Sequence, residues 1–368
     1  MDGRPYGAGG GMSLTVYPVT DPTSRLGKAF FRFPLELYRD TPSWTPQLAR
    51  DVRRILQKKY LPRRAFRSDA FVVVEGARAL ARFVMVLPRE EREPSAGRNA
   101  WLALPEAIDR EDVWAALFDH ARAWCRENGA ARLIGPYDLG GTDRAGLLIE
   151  GYEERTAPFH PPYYRGRFES GGFEAFRDFV SLSVDLPTFG GWTATDDVVR
   201  AQDRDARMRI EYLSSRGDLR RLEAEISALL DDSYPALRRG SGLRRGAVDH
   251  GAVTLLRDQR GRLVGCAVPS FDLSPALRRS SGYVGLRTAI DLYRERRRTG
   301  RRIVEGLNVR PGDGIPLLLM GLLRRLSENG AEEVTIGGVP ADAASSRIDM
   351  IGPAGRIRAR YRVYGAAV

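Results

Sequence analysis

Apolar positions in this chain recur with two periods, and the switch between them divides it into strands and helices. Phe71-Val72-Val73-Val74-Glu75 and Leu80-Ala81-Arg82-Phe83-Val84-Met85-Val86 flank a glycine-containing turn and predict a hairpin. Asn99-Ala100-Trp101-Leu102-Ala103-Leu104 reads as a third strand. Asp109 is placed to cap a helix over residues 111–127, with Val113, Leu117, His120 and Trp124 along one face and Gly129 closing it. Arg132-Leu133-Ile134-Gly135 is a short buried strand running into Pro136. A second amphipathic helix, around 161–170, precedes Gly171-Gly172-Phe173, and the strand Phe179-Val180-Ser181-Leu182-Ser183-Val184 follows. Ahead of all these, Phe30 to Tyr38 starts as a helix and ends in turns bounded by Pro42 and Pro46.

The order hairpin, strand, helix, strand, helix, strand is then repeated. The second half predicts a strand over 209–213 and a helix over 219–230. A hairpin follows, from Val253-Thr254-Leu255-Leu256 to Leu263-Val264-Gly265-Cys266-Ala267-Val268. Leu286, Ile290 and Tyr293 mark a helix, 302–309 a strand, 315–327 a helix, 333–336 a strand and 357–364 the last strand. The halves share element order without obvious sequence identity, as a diverged tandem repeat would. The expectation is an α/β protein with mixed sheets. Residues 1–11 form a tail, 12–187 the first domain and 207–368 the second, with a linker over 188–206.

Length and composition narrow the class. At 368 residues, 43% hydrophobic and 29% charged, the chain suits two globular domains rather than disorder. No window approaches the ~18 apolar residues a spanning helix needs. The start, Met1 to Gly10, lacks the apolar run of a secretory signal. Cys125 and Cys266 are too few for a disulfide framework and read as buried small hydrophobes, consistent with a reducing cytoplasm. Net charge is +11, carried by arginine except at Lys28, Lys58 and Lys59. Part of that bias reflects a GC-rich genome; the rest favours an anionic partner such as CoA phosphates, a lipid headgroup or RNA.

Four strings taken in order carry a resemblance. They are Phe33-Pro34…Leu37-Tyr38…Pro42-x-Trp44-x-Pro46, Gly135-Pro136-Tyr137-Asp138…Gly146-Leu147-Leu148…Gly151, Pro162-Tyr163-Tyr164…Gly172-Phe173…Asp178, and Tyr361-Arg362-Val363-Tyr364. Together, over roughly residues 25–365, they resemble a bacterial family of tandem GNAT-like N-acyltransferases. Bacterial ceramide synthases, which N-acylate a sphingoid base with acyl-CoA, look like part of the same wider group. The resemblance implies two GNAT domains in tandem, acyl-CoA or acetyl-CoA as co-substrate, and a small-molecule or lipid amine as acceptor; three scattered histidines without a Cys/His cluster argue for no metal.

The resemblance also directs attention to particular residues. GNAT enzymes hold the CoA pyrophosphate on backbone amides in a glycine-containing turn between a strand and a helix, where unpaired N–H groups face the anion. The matching candidate is Val309-Arg310-Pro311-Gly312-Asp313-Gly314-Ile315. Val309, Arg310, Gly312, Gly314 and Ile315 would contact the cofactor, although the glycine spacing departs from the family pattern and Asp313 brings a negative charge. The competing reading is a plain strand-to-helix turn. The first half's main helix begins Asp109-Arg110-Glu111-Asp112, which would repel phosphate.

The family's thiolate-protonating tyrosine, four residues before Gly-Phe, is Phe168 here, and Tyr164 one turn earlier is the substitute. His160, beside Pro161-Pro162, is the candidate base because imidazole titrates near neutrality. The alternatives are a core tyrosine and a structural histidine. His120 reads as a core residue and His250 as a solvated one. The arginines at 294, 296, 297, 298, 301 and 302 form either a patch for an anionic membrane, a nucleotide phosphate or tRNA, or a solvated helix end. Three functions stay open: an acyl-CoA-dependent N-acyltransferase, a Fem-type transferase using aminoacyl-tRNA, and a GNAT shell that binds without catalysis. The sequence places the chain in the cytoplasm, with the membrane periphery open to it, and leaves its oligomeric state unspecified.

Overall fold

The computed structural model describes residues 13–61, 63–89, 97–139, 145–151, 160–190, 208–233, 247–310 and 314–368. The first half contains β1 (Leu14–Pro18), α1 (Arg25–Leu37), α2 (Ala49–Leu56), β2 (Phe66–Glu75), β3 (Arg78–Pro88), β4 (Asn99–Ala107) and α3 (Glu111–Glu127). It continues with β5 (Arg132–Tyr137), β6 (Leu147–Gly151), α4 (Tyr163–Ser170), β7 (Glu174–Asp185) and α5 (Leu186–Gly190). The second half opens with β8 (Met208–Tyr212), α6 (Arg216–Ser233), β9 (Thr254–Asp258), β10 (Leu263–Phe271), α7 (Ser274–Arg278) and α8 (Leu286–Arg298). It closes with β11 (Arg301–Val309), α9 (Ile315–Glu328), β12 (Glu333–Pro340), α10 (Ala344–Ile351) and β13 (Gly355–Ala367).

The strands form one 13-stranded sheet in the order β1-β2-β3-β4-β5-β13-β7-β12-β11-β10-β9-β8, with β6 also paired to β13. Every pairing is antiparallel except β4 with β5 and β11 with β12, one parallel pair in each half. The two central strands are exchanged. β7, from the first half, pairs with β12 of the second, while β13, from the second, pairs with β5 of the first. Each half of the sheet is thus completed by the other half's last strand, so the two halves interleave in space. Residues 188–190 lie in α5, and 191–207 are outside the described residues.

Side chains pin this exchange. On neighbouring strands Arg362 donates to Asp178 twice, from Nε and Nη2, both at 2.8 Å. Such a planar two-point pair fixes register as well as adding attraction. Tyr364, on the same strand, is buried against Phe168 and reaches the Glu169 carboxylate at 3.2 Å. The terminal string Tyr361-Arg362-Val363-Tyr364 is therefore the middle of the sheet.

Helices cover both faces of each half. α3 buries Val113, Trp114, Leu117, Phe118, Ala121, Trp124 and Cys125, a helical stripe, and places Glu111 and Asp112 at its positive end. Its aromatic side meets Tyr164 and Phe168 of α4. α1 and α2 cover the opposite face through Phe30, Val52 and Ile55. In the second half the leucines of α9 pack with Phe189 of α5, and Ile226 and Leu229 of α6 fill the other side. His120 is half-buried rather than enclosed, and packs against Phe71 and Phe83 at centroid distances of 4.5 and 6.0 Å. Cys125 and Cys266 are buried free thiols.

The glycines of the second string have a backbone explanation. Gly151, at φ +80°, lies against β13, and a Cβ there would sit 2.2 Å from the Arg358 carbonyl oxygen. Gly151→Ala is expected to cost about 2–4 kcal/mol, combining left-handed strain with displacement of the exchanged strand. Urea denaturation reads this directly; a loss below about 0.5 kcal/mol would show that β13 yields freely at this point.

Candidate functional site

The parallel pair of the second half comes apart. β11 and β12 are in register from Arg301↔Glu333 to Val304↔Ile336 and no further. Beyond that point β11 follows β10 as far as Val309↔Gly265, while β12 follows β7 through Val339↔Val180. The cause lies in Gly337 and Gly338, where the β12–β7 register shifts and Gly338 adopts φ +66°. A bulge of this kind turns a strand away from its neighbour. The edge of β11 from residue 305 onward consequently has no strand partner among the described residues.

The candidate cofactor turn lies at the open end of this fork. Val309 ends β11, and Arg310 is exposed, with its N–H bonded to the Val264 carbonyl at 2.8 Å. Gly312 falls outside the described residues, as do Pro311 and Asp313. Gly314 is the N-cap of α9 and Ile315 its first residue. A Cβ on Gly314 would lie 2.6 Å from Leu256 Cδ2, so glycine lets the chain turn close above the core. Pro316 has no N–H to offer, so Ile315 and Leu317 supply the N–H groups that open α9 at the positive end of its dipole. An unpaired strand edge leading to a helix N-terminus suits an extended amide chain that ends in an anion.

Tyr164 and His160 belong to the first half, in a different core from that turn. Their rings are 5.6 Å apart, so the structure does bring these two together. The Tyr164 hydroxyl is wholly buried, accepts the Ala107 N–H at 3.1 Å and lies 3.1 Å from the Tyr38 hydroxyl. Tyr163 donates to the Ala107 carbonyl at 2.7 Å. In this half β4 leaves β5 after Ala103↔Tyr137, and the freed edge at Ala107 is taken by these two tyrosines. Burial holds the Tyr164 phenol well above its usual pKa, with the Glu106 carboxylate adding to the effect. It stays protonated and committed to the fold.

His160 also departs from expectation. Its Nδ1 is sealed from solvent with no hydrogen-bond partner among the described residues, and burial pushes its pKa down to about 3. The near-neutral titration inferred from residue type is therefore displaced, and the imidazole is neutral at physiological pH. Because the folded pKa lies below the reference value of 6.5, the unfolded chain gains a proton first as pH falls. Stability is full above pH 6.5 and is lost towards pH 3. Replacing His160 with Asn is expected to flatten the fall between pH 6.5 and about 5 by ~1–2 kcal/mol, measured by urea melts. An unchanged slope would contradict the assignment.

Below Tyr164 lies a polar network that sequence reasoning missed. Pro34 has no N–H to give the Phe30 carbonyl, one helical turn back in α1. Arg82 supplies it instead, from Nη1 at 2.9 Å, with its guanidinium over the Phe30 ring at 4.9 Å. Arg82 also pairs with Glu106 and reaches Gln47 Oε1 at 3.3 Å, while Gln47 donates to Asp138 at 3.1 Å. Burial raises the Glu106 pKa against the pull of Arg82. A lone arginine inside the apolar run of β3 was the available signal, since a buried charge demands a partner.

The basic run divides. Arg302 is buried on Asp249 at 2.6 Å, Arg301 pairs with Glu333 at 3.2 Å, and Arg296 is half-buried over Phe271. Arg294, Arg297 and Arg298 are exposed. His250 is half-buried rather than solvated, its ring nitrogens lacking partners among the described residues.

Two mixed half-sheets, each with a parallel pair that separates ahead of a helix, define a tandem GNAT fold, and solved structures of that fold superpose on this chain. It superposes on a tandem GNAT protein from the clavulanic acid biosynthesis pathway with a TM-score of 0.52 and 14% identity, over 96% of this chain and 98% of that one. It also superposes on a probable N-acyltransferase from Enterococcus faecalis V583, with a TM-score of 0.55 and 9% identity over 97% and 73% of the two chains. Among curated proteins it is 30% identical to Protein YghO of Escherichia coli K12 over 157 residues, 42% of this chain and 40% of that protein. It is 28% identical to the bacterial ceramide synthase of Caulobacter vibrioides over 182 residues, 47% and 46% of the two. The match thus spans less than half the length of either curated relative. No family model matches the chain. No helix among the described residues is long and apolar enough to cross a membrane.

Proposed function

We propose that this protein is an N-acyltransferase that binds acyl-CoA in the β11/β12 fork and transfers the acyl group to an amine, with a long-chain lipid amine as the favoured acceptor. The fork carries the reading: one parallel strand pair opens, leaves a strand edge without a partner among the described residues and leads into the N-terminus of α9. Pantetheine is an extended chain with two amides, and its hydrogen-bonding groups suit the edge of β11 as an added strand would. The pyrophosphate then meets the N–H groups opening α9, with Arg310 beside it. Similarity to a bacterial ceramide synthase supports the lipid acceptor.

The amine nitrogen attacks the thioester carbonyl carbon; the C–N bond forms, the C–S bond breaks, and the electron pair leaves on sulfur. The ammonium proton passes to water, and the thiolate takes a proton from solvent. With a thiol pKa of roughly 8.5, this leaving group needs no strong acid near neutral pH. α10 follows β12 and contains no tyrosine, so Tyr164 has no counterpart on that helix. Tyr164 is assigned a strut's role. Tyr164→Phe is expected to lower stability by about 1–3 kcal/mol, by orphaning the Ala107 N–H, with kcat within about threefold. A hundredfold fall in kcat at unchanged stability would reinstate Tyr164 as the acid.

The activity test supplies acyl-CoAs of several chain lengths with a long-chain amine and follows thiol release together with amide formation. Amide formation that requires both substrates supports the proposal. Transfer from aminoacyl-tRNA but not from acyl-CoA would replace it with the Fem-type reading. Binding of acyl-CoA without turnover on any amine would leave a binding protein.

A further inference from the structure

Tyr283, Val284, Leu286, Ile290 and Tyr293 are exposed together in one short stretch, with Leu286 82% exposed. The other exposed large hydrophobic side chains among the described residues, Tyr17, Phe176 and Ile357, are scattered. α8 has no buried residue, yet it is amphipathic. At helical spacing Leu286, Ile290, Tyr293 and Arg297 share one face, and Arg287, Arg294 and Arg298 line one side of it. The half-buried side, Thr288, Asp291, Leu292, Glu295 and Arg296, turns toward the protein. Of its two acidic members, Glu295 is held by Arg279 at 3.4 Å and Asp291 is half-buried, while Arg296 lies over Phe271. The apolar stripe therefore faces outward, with arginines on it and beside it.

We propose that α8 and the preceding Tyr283-Val284 turn dock this protein on an anionic lipid bilayer, the helix lying in the plane of the interface. The chemistry fits that occupant. An apolar stripe flanked by cations inserts among acyl chains while its charges meet headgroup phosphates. Tyrosine and arginine suit such a boundary, because each has a buriable body and a polar end. A second copy of this chain fits poorly, since a two-fold contact through the same face would set these arginines against themselves. The platform is firmly mounted. Ala49 N–H bonds the Gly282 carbonyl at 2.8 Å, Arg278 donates to Thr45 at 3.1 Å, and Tyr283 meets Phe31 edge-on at 5.0 Å.

The test is sedimentation of the full chain with vesicles of phosphatidylcholine alone, and with phosphatidylcholine containing about a third phosphatidylglycerol. Co-sedimentation is expected only with the anionic vesicles, and it should weaken as salt rises. The double variant Leu286→Glu/Ile290→Glu should lower vesicle affinity at least tenfold, and Arg294→Ser/Arg297→Ser/Arg298→Ser at least fivefold. Both should keep the parent thermal midpoint, because the replaced side chains are exposed. Equal binding by parent and double variant overturns the proposal, as does failure to bind anionic vesicles. Binding of a mixed-sequence RNA through the same arginines without vesicle binding would assign the face to nucleic acid. A double variant that turns an oligomer into a monomer while still binding vesicles would assign it to self-association. These outcomes are independent of whether the fork binds acyl-CoA.

Discussion

Arg82→Ala is expected to destabilise the protein by about 3–5 kcal/mol, the range for removing one partner of a buried ion pair. Arg82 is 1% exposed and serves three acceptors: the Glu106 carboxylate, the Phe30 carbonyl and Gln47 Oε1. Each belongs to a different segment, so the guanidinium ties β3 to β4, to α1 and to the turn beyond it. Alanine would strand a buried carboxylate and also expose the defect that Pro34 makes in α1. The double variant Arg82→Met/Glu106→Leu should recover at least half of the loss, because it removes the charge demand together with the charge. Guanidinium denaturation of the set measures both effects. A single-variant loss below about 1 kcal/mol would mean that water reaches Glu106 and that the network is not a structural centre.

The second large effect concerns the fork. A Cβ built on Gly337 meets nothing within 4 Å, and this residue lies where β12 leaves β11. Gly337→Leu should therefore fold with a stability change within about 1 kcal/mol while placing a side chain at the point of divergence. The expected result is at least a hundredfold loss of acyl-CoA affinity. Ligand present at 100 times its Kd stabilises a native state by about 2.7 kcal/mol, so the parent should melt higher with acyl-CoA and the variant should not. Equal thermal shifts in the two proteins would place the ligand elsewhere.

Much of the fold was legible because periodicity follows burial. The helix over 111–127 has the predicted bounds, since its apolar stripe, acidic first turn and closing Gly129 agree, but Arg110 is its N-cap and Asp109 instead accepts from Arg167. The element order of the two halves implied the tandem repeat. The exchange of β7 and β13 was not legible, because strand pairing depends on which edges meet and alternation within a strand says nothing of its neighbour. β1, β6, α2, α5, α7 and α10 went unread; they are short segments in which few apolar residues establish a period.

The site divided along the same line. The turn at 309–315 stood out as a candidate because glycines between a strand and a helix are a local signal. Gly337-Gly338, which opens the fork, was equally local, but it looked like the end of a strand rather than a bulge within one. Tyr164 and His160 were chosen for the chemistry of their side chains, and burial then altered that chemistry. Arg82, Glu106, Gln47 and Tyr38 lie far apart along the chain and become a network only when the sheet and α1 assemble.

The central claim, that acyl-CoA occupies the second half's fork, is tested most directly by hydrogen exchange with and without saturating acyl-CoA. Slower exchange is expected across β11 from residue 305 and through the first turn of α9, with the β4 end near Ala107 unchanged. Protection at Ala107 and the start of α3, with none at β11 and α9, would contradict the account and move the cofactor to the first half.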